Sequence, residues 1–263
     1  MCRLLVYWGS KPKDLRYFLV EAPNSLIKQS YTDDTGKPNP DGWGMAYYID
    51  NELDIVKMPN PAFEDTHFRF LARHVQANVF FAHVRRKSYG VVRYENTHPF
   101  QKDEWVFMHN GNVPRLDGVK EFLESHTPLE ESFQPQGETD SEYIFMQILN
   151  RFKLHQARDV ETRFAIVRDL MFDIESIIPR EETPKLALNI FLTNGEHFFA
   201  YRRNRTLMYT QFPDGWLFAT EATDKKHTWH DIAEGTFIIG KQPGDITFRK
   251  ARIKSRSAVR QNA

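Results

Sequence analysis

The first nine residues, Met1-Cys2-Arg3-Leu4-Leu5-Val6-Tyr7-Trp8-Gly9, contain the feature that decides the fold. Residues 4–8 form a short apolar run that ends at a glycine, which predicts a β-strand starting almost at the N-terminus. The chain's single cysteine stands just before this strand. We therefore expect Cys2 to be held at a strand end, either as a small buried apolar side chain or as a reactive thiol.

The composition of the 263-residue chain excludes several classes of protein. It has 35 basic and 35 acidic residues, so its net charge gives no indication of a nucleic-acid partner. No apolar run approaches the roughly 20 residues that would span a bilayer, and the N-terminus lacks the pattern of a signal peptide. A single cysteine excludes an internal disulfide. We expect a cytoplasmic protein with neither a membrane nor a nucleic-acid partner, because a lone thiol fits a reducing compartment.

The chain has no low-complexity tract and no clear linker, which suits one large domain, or two at most. We expect a single domain over residues 1–250. After the last apolar segment, residues 251–263 are basic and otherwise small or polar. This pattern predicts a solvated, mobile tail. A binding arm for an acidic partner is the alternative.

Apolar runs bounded by turn residues predict further strands along the chain. They cover residues 43–49, 53–56, 79–84, 105–108, 187–192, 197–201, 216–219, 236–239 and 246–248. Residues 10–40 are mixed and rich in turn signals. Helical spacing predicts helices over residues 68–75, after Thr139 as a cap, and over residues 159–178. Strands, two long helices and strands again do not match a doubly wound fold, whereas two antiparallel sheets with helices outside would accommodate the order.

Cys2 becomes a candidate nucleophile if Met1 is removed, as happens when the second residue is small. The new N-terminal residue then carries both a thiol and an α-amine. Since an α-amine has a pKa of about 8, a neutral amine can take the thiol proton directly or through a water molecule. The resulting thiolate is the form that attacks an amide carbonyl.

Two pairs of residues could complete such a site. Asn110-Gly111 ends a predicted strand, where an amide side chain and a glycine N–H could stabilise an oxyanion; the alternative is an ordinary hairpin turn. Arg85 at a strand end could bind a carboxylate, and Asp140 at a helix start could bind an ammonium. The alternatives are surface charges, with Asp140 complementing the helix dipole.

The sequence does not support a metal site, a phosphate-binding loop or a serine-hydrolase site. His83, His98 and His109 fall in separate segments and do not match a zinc-ligand spacing. The chain has no Gly-rich phosphate loop and no Gly-x-Ser-x-Gly elbow. We therefore expect neither a metal nor a cofactor.

Taken together, the segments resemble the class II glutamine amidotransferases, and more closely their stand-alone YafJ-like branch. The matching segments are Met1-Cys2-Arg3-Leu4-Leu5, Asp41-Gly42-Trp43-Gly44, Ala82-His83-Val84-Arg85, Glu95-Asn96-Thr97-His98-Pro99-Phe100, His109-Asn110-Gly111, Gly137-Glu138-Thr139-Asp140-Ser141-Glu142, Thr193-Asn194-Gly195 and Ala219-Thr220-Glu221-Ala222 with Trp229. The resemblance covers nearly the whole chain. It implies an α/β fold in the form of a four-layer α/β/β/α sandwich, that of the N-terminal nucleophile hydrolases.

The resemblance also implies a role for each candidate residue. Cys2 would be the nucleophile and, through its α-amine, the base. Asn110 and Gly111 would form the oxyanion hole. Arg85 would bind the α-carboxylate of glutamine and Asp140 its α-ammonium. Ser88 and His98 would line or support the pocket.

The resemblance leaves no second domain in this chain to consume ammonia. Three activities follow as alternatives: a glutaminase subunit for a separate synthase, a plain glutaminase, or a hydrolase of a larger γ-glutamyl metabolite. Each acts on a small molecule that carries a γ-glutamyl group. A catalytically silent module that keeps the fold for binding or regulation is the competing hypothesis.

Overall fold

The computed structural model describes residues 2–250, so the predicted mobile tail of residues 251–263 lies outside the described part. The strands are β1 (Arg3–Asp14), β2 (Trp43–Ile49), β3 (Glu52–Met58), β4 (Gln76–Val84), β5 (Phe100–Lys102), β6 (Trp105–Asn112), β7 (Ala187–Thr193), β8 (Phe198–Arg202), β9 (Met208–Phe212), β10 (Gly215–Ala219), β11 (His230–Asp231), β12 (Thr236–Gly240) and β13 (Thr247–Lys250). The α-helices are α1 (Leu26–Tyr31), α2 (Thr66–His74), α3 (Leu116–His126), α4 (Asp140–Leu154) and α5 (Val160–Ile177).

The predicted strands and the predicted helices are confirmed, with small shifts at their ends. Two predictions about irregular segments were wrong. Residues 10–40 contain the second half of β1, a π-helical turn (Tyr17–Glu21) and α1. β6 does not stop at residue 108 but continues to Asn112, because pairing with β7 extends to its end. A polar segment can remain a strand where a neighbouring strand supplies its hydrogen bonds.

Helix α3 and strands β5, β9 and β11 were not predicted. In α3 the buried positions are Leu116, Val119 and Leu123, spaced by three and four residues as on one helix face. The remaining positions of α3 are mainly polar or charged, so the apolar signal is narrow. β5 and β11 have three and two residues, too short for an alternating pattern to be read.

The strands form two antiparallel sheets. The first has seven strands in the order β11-β9-β10-β1-β4-β2-β3, and the second has six in the order β13-β12-β8-β7-β6-β5. Strand β1 lies inside the first sheet, between β4 and β10. It therefore has no free edge along the part that is paired on both sides.

Three apolar layers separate the two sheets and their helices. Along β1 the side chains of Leu4, Val6 and Trp8 pack between the sheets, whereas Leu5 and Tyr7 pack on the side of α1 and α2. This alternation follows from the two-residue period of a strand. The second sheet packs its other face on α3, α4 and α5. The predicted four-layer α/β/β/α sandwich is confirmed.

The two long helices begin at side-chain caps. Thr139 Oγ1 accepts the Glu142 N–H at 3.1 Å, and Asp159 Oδ1 accepts the N–H groups of Glu161 and Thr162 at 3.1 and 2.9 Å. Such caps satisfy N–H groups that have no partner inside the helix. The cap at Thr139 thus sets the start of α4 at the next residue, Asp140. No helix between residues 2 and 250 combines the length and the apolarity needed to cross a membrane.

Burial of both faces of β1 gives a testable expectation for stability. Leu4→Ala and Leu5→Ala should each lower the free energy of unfolding by about 2–5 kcal/mol, since each removes a fully buried side chain from a different layer. Leu154→Ala, at a position 57% exposed, should change it by less than about 0.5 kcal/mol. Urea unfolding measures all three. A Leu5→Ala value equal to that of Leu154→Ala would contradict a covered outer face of the first sheet.

Candidate active site

A pocket lies where β1 begins, β4 and β6 end, and α4 begins. It is lined by Cys2, Arg85, Arg86, Ser88, Tyr89, His98, His109, Gly111, Thr139, Asp140 and Ser141. Six of the seven predicted site residues are in this set. The antiparallel register explains part of this meeting, because Arg3 pairs with Val84 and the residues just beyond that pair are Cys2 and Arg85.

Cys2 is partly exposed, and its sulfur lies against the main chain of Arg86. The Arg86 N–H donates to Sγ at 3.3 Å, and the thiol can donate to the Arg86 carbonyl oxygen at 3.4 Å. Burial of the thiol raises its pKa to about 11, against the lowering effects of that N–H and of the Arg85 and Arg3 charges. The thiol is therefore protonated at neutral pH, and a reaction through its thiolate needs a base.

The guanidinium of Arg85 is buried, so the surface-charge alternative was wrong. It donates to main-chain carbonyl oxygens, at 2.8 Å to Tyr89 and 3.3 Å to Val91. Among residues 2–250 no carboxylate lies within ion-pair distance of it. A buried cation held by neutral oxygens retains the capacity to bind an anion from outside the protein.

Asp140, the first residue of α4, is also buried, so a surface position is again excluded. One carboxylate oxygen accepts the Val113 N–H at 2.9 Å, and the other accepts the Ser141 N–H at 2.8 Å. These two N–H groups hold the carboxylate plane in a fixed orientation. Since a carboxylate has about four acceptor positions, it can still accept from an ammonium in the pocket.

Asn110 and Gly111 lie within β6, which excludes the hairpin-turn alternative. At Gly111 the strand is tightly packed: a Cβ there would overlap the Ala187 carbonyl oxygen and His109 Nε2. Gly111 lines the pocket, whereas Asn110 does not. The Asn110 amide nitrogen instead lies 3.3 Å from Thr220 Oγ1, which also accepts the Leu4 N–H at 3.1 Å.

His98 and Ser88 both line the pocket but differ in burial. His98 is buried and stacks on His83 with ring centroids 4.2 Å apart. Burial lowers the pKa of both rings, that of His83 to about 3, so both are neutral at pH 7. Their ring nitrogens lack a hydrogen-bond partner in the part of the chain that the structure describes. Ser88 is exposed.

The pocket contains residues that sequence reasoning did not assign to it. His109 Nε2 donates to the Ala187 carbonyl oxygen at 2.9 Å, and His109 Nδ1 lies 2.9 Å from the Ser141 hydroxyl. Tyr89 donates its hydroxyl to the Val113 carbonyl oxygen at 3.1 Å, which ties the loop after β4 to the end of β6. Each of these residues is next to or near a predicted one, and that proximity was the available signal.

The pocket brings a thiol, a buried cation, a buried carboxylate and a glycine of a strand end into one small space. A four-layer sandwich with a cysteine at the start of a central strand is the architecture of N-terminal nucleophile hydrolases. The fold therefore places the chain among the α/β/β/α sandwiches of the N-terminal nucleophile hydrolase type.

Comparison with known families agrees with this class. Residues 20–216 match the family model described as "Glutamine amidotransferases class-II". The chain belongs to the class II glutamine amidotransferase family. The matched region begins after Cys2, so the assignment of Cys2 depends on its place in the pocket.

Several curated proteins are similar to this chain. It is 37% identical over 161 residues to DUG3 of Saccharomyces cerevisiae, a probable glutamine amidotransferase, which covers 57% of this chain and 45% of DUG3. It is 29% identical to YafJ of Escherichia coli over 76% of this chain and 72% of YafJ. It is 26% identical to the gamma-glutamyl-hercynylcysteine sulfoxide hydrolase of Mycolicibacterium smegmatis, over 89% and 93%. The chain spans about half the length of the first relatives it matches.

Solved structures share the fold. A glutamine aminotransferase class-II domain protein from Silicibacter pomeroyi superposes with a TM-score of 0.65 at 21% identity, covering 95% of this chain and 99% of the other. A second match, titled as the allosteric regulatory enzyme of purine biosynthesis, has a TM-score of 0.65 at 15% identity, over 95% and 49%. At these identities the likeness establishes the sandwich fold alone.

Close packing at Gly111 predicts the effect of adding one methyl group. Gly111→Ala should lower the free energy of unfolding by about 1–3 kcal/mol, because the new Cβ overlaps main-chain and ring atoms. Gly118→Ala is the matched control: that glycine lies in α3 with nothing within 4 Å of an added Cβ, and it should stabilise by about 1 kcal/mol. Thermal and urea unfolding compare the two. Equal effects of the same sign would contradict the close packing.

Proposed function

We propose that this protein cleaves the γ-glutamyl amide bond of glutamine or of a γ-glutamyl metabolite through a thioester on Cys2. The observation that carries the proposal is the meeting of Cys2, Arg85 and Asp140 in one pocket. A γ-glutamyl group presents a carboxylate and an ammonium on one carbon, and an amide carbonyl two methylenes away. The pocket offers one group suited to each.

Recognition of the substrate rests on the two buried charges. The Arg85 guanidinium, which has no carboxylate partner in residues 2–250, binds the α-carboxylate. The Asp140 carboxylate, oriented by the N–H groups of Val113 and Ser141, accepts from the α-ammonium. A substrate that lacks either charge leaves the matching buried charge of the pocket without a counter-charge, and this is a strong basis for selectivity. Ser88 and His98 line the same pocket and complete its walls.

The reaction starts with removal of Met1, which exposes the α-amine of Cys2. The neutral amine takes the proton of the thiol, whose raised pKa makes such a base necessary. The thiolate attacks the amide carbonyl, and the oxyanion that forms is stabilised by the Gly111 N–H and the Asn110 side chain. Asn110 now faces Thr220, but its amide nitrogen has two protons and can donate the second one.

Collapse of the tetrahedral intermediate breaks the carbon–nitrogen bond of the substrate amide. The protonated α-amine of Cys2 gives its proton to the leaving ammonia or amine. A γ-glutamyl thioester remains on Cys2. The same amine then takes a proton from a water molecule, which attacks the thioester carbonyl and releases glutamate. The protonated amine finally returns this proton to the thiolate sulfur of Cys2. The active enzyme is thereby restored without a metal or a cofactor.

Two kinds of leaving group are compatible with the proposed reaction. Ammonia would leave for a separate synthase subunit or for solution, and a larger amine would leave if the substrate is a γ-glutamyl metabolite. The similarity to a relative named as a γ-glutamyl hydrolase, which extends over 93% of that relative, favours hydrolysis of a γ-glutamyl compound. A reducing compartment such as the cytoplasm is the setting we propose, since the thiol has to remain reduced.

The first test of the proposal is the state of the N-terminus and its reactivity. The intact mass of the purified protein should lack Met1, and the diazo-ketone glutamine analogue 6-diazo-5-oxo-L-norleucine should add once to Cys2. The Cys2→Ala variant should have the same melting temperature as the wild-type protein, form no adduct and release no glutamate. Complete retention of Met1, or processed protein that forms no adduct, would instead support the silent binding module.

The second test concerns Arg85. In the inactive Cys2→Ala background, Arg85→Ala should weaken glutamine binding by about 30- to 150-fold, equal to roughly 2–3 kcal/mol, because a charged hydrogen bond to the α-carboxylate is lost. Isothermal titration calorimetry measures the affinity. The matched ligand is 4-aminobutanamide, which lacks the α-carboxylate and should bind both variants equally. Unchanged glutamine affinity would show that the carboxylate is held elsewhere.

A further inference from the structure

Arg3, the residue directly after Cys2, is a buried arginine with an unusual concentration of acidic partners. Its side chain is 1% exposed. It forms ion pairs with Asp33 at 3.2 Å, and with Asp34 and Glu221 at shorter distances. Burying a guanidinium is costly unless it is paired and hydrogen-bonded, so this cluster has to be complete to be stable.

The same guanidinium holds the main chain of Cys2. Arg3 Nη1 donates to the Cys2 carbonyl oxygen at 3.0 Å. Cys2 precedes the first residue of β1, and the register with β4 begins only at Arg3. Strand pairing thus holds Arg3 but not Cys2, whose main-chain position depends on contacts such as this one.

Arg86 holds the other end of Cys2. Its N–H donates to Cys2 Sγ at 3.3 Å, and its guanidinium lies 3.2 Å from Asp33 Oδ2. That same oxygen is the one 3.2 Å from Arg3. One carboxylate oxygen therefore joins the residue that binds the Cys2 carbonyl to the residue that binds the Cys2 sulfur.

Asp33 is itself rigidly held. Its side chain is fully buried, and its second oxygen accepts the N–H groups of Thr35 and Lys37 at 2.9 and 3.2 Å. Burial acts to raise the pKa of this carboxyl, but the hydrogen bonds from Thr35 and Lys37 and the charge of Arg3 outweigh it, so the pKa lies below its ordinary value. Asp33 is therefore ionised at neutral pH and can link both arginines.

We propose that Arg3, Asp33 and Arg86 form a clamp that positions Cys2, with Asp33 as its centre. The proposal rests on the proposed role of Cys2 as nucleophile and adds residues that act through it rather than on the substrate. The clamp holds the carbonyl and the sulfur of Cys2 relative to each other, and so sets the direction from which the thiolate attacks. Misplacing a reacting atom by about 1 Å can cost ~100-fold in rate.

The clamp also predicts an electrostatic effect on the thiol. Since this is the chain's single cysteine, alkylation by iodoacetamide reports on Cys2 alone. At pH 8 the rate follows the fraction of thiolate, which the positive charge of Arg3 increases. Removing Arg3 should slow alkylation, because the thiolate loses a nearby positive charge. Removing the charge of Asp33 should speed alkylation, because Arg3 and Arg86 are then less neutralised. General loosening of the fold would change both rates in the same direction.

The experiment compares processed wild type with Arg3→Met, Arg3→Lys and Asp33→Asn. Arg3→Met should slow alkylation at pH 8 by about 3- to 10-fold, and Asp33→Asn should speed it by a similar factor. On L-glutamine and L-γ-glutamyl-p-nitroanilide, Arg3→Met and Asp33→Asn should lower kcat by about 10- to 100-fold with KM within about threefold. Arg3→Lys keeps the charge, so it should restore the alkylation rate and part of kcat.

Asp224→Asn is the matched control. Asp224 is buried and accepts the N–H groups of Lys226 and His227 at 2.9 and 2.8 Å. It resembles Asp33 in these contacts, but its ion pair is with the His227 ring at 2.9 Å and not with an arginine. It should leave kcat and alkylation unchanged. If Arg3→Met does not fold, the kcat values and alkylation rates of Asp33→Asn and Asp224→Asn are sufficient to test the clamp.

The outcomes separate the clamp from the proposed function. Identical alkylation rates and kcat values for Asp33→Asn and Asp224→Asn would overturn the clamp, as would a shift of Arg3→Met and Asp33→Asn in the same direction. A wild-type protein without turnover and without a diazo-ketone adduct would overturn the proposed function. In that case the alkylation rates still test whether the cluster positions Cys2.

Discussion

The site depends on the way β1 is held in the first sheet. Strands β4 and β10 pair with it on both edges, and apolar layers cover both of its faces. A strand fixed on four sides cannot shift its register without moving a whole set of buried side chains to the wrong layer. The residue before it, Cys2, therefore starts from a fixed point. Arg85, at the matching end of β4, is placed by the same register.

Buried charges of the site are stabilised in two different ways. The guanidinium of Arg3 is surrounded by carboxylates, which neutralise it and tie it to the main chain of Cys2. The guanidinium of Arg85 is held by main-chain carbonyl oxygens, which satisfy its hydrogen bonds without neutralising its charge. The first arrangement suits a positioning role and the second suits a binding role. The different roles that we propose for these two arginines therefore rest on the difference between their partners.

Much of the fold could be predicted from the local pattern of apolar residues, because this pattern is strong in most strands and in α4 and α5. The failures occurred where the pattern was short or polar. Strand β6 continues through His109, Asn110 and Gly111 because β7 supplies hydrogen bonds that no local signal reveals. Helix α3 buries only three positions on a narrow face, and its polar surroundings hid it. Of the residues that line the pocket, Arg86 and Tyr89 were not assigned to the site from the sequence.

By itself, the sequence determined the order of the two long helices and of most strands, the apolar run of β1 and the residue types of the proposed site. These follow from local periodicity and side-chain chemistry. Only the tertiary structure decided that Arg85 and Asp140 are buried, that Asn110 faces Thr220, and that Asp33 joins Arg3 to Arg86. Contacts between residues tens of positions apart depend on sheet register and loop path. Both result from the packing of the whole domain rather than from any one segment.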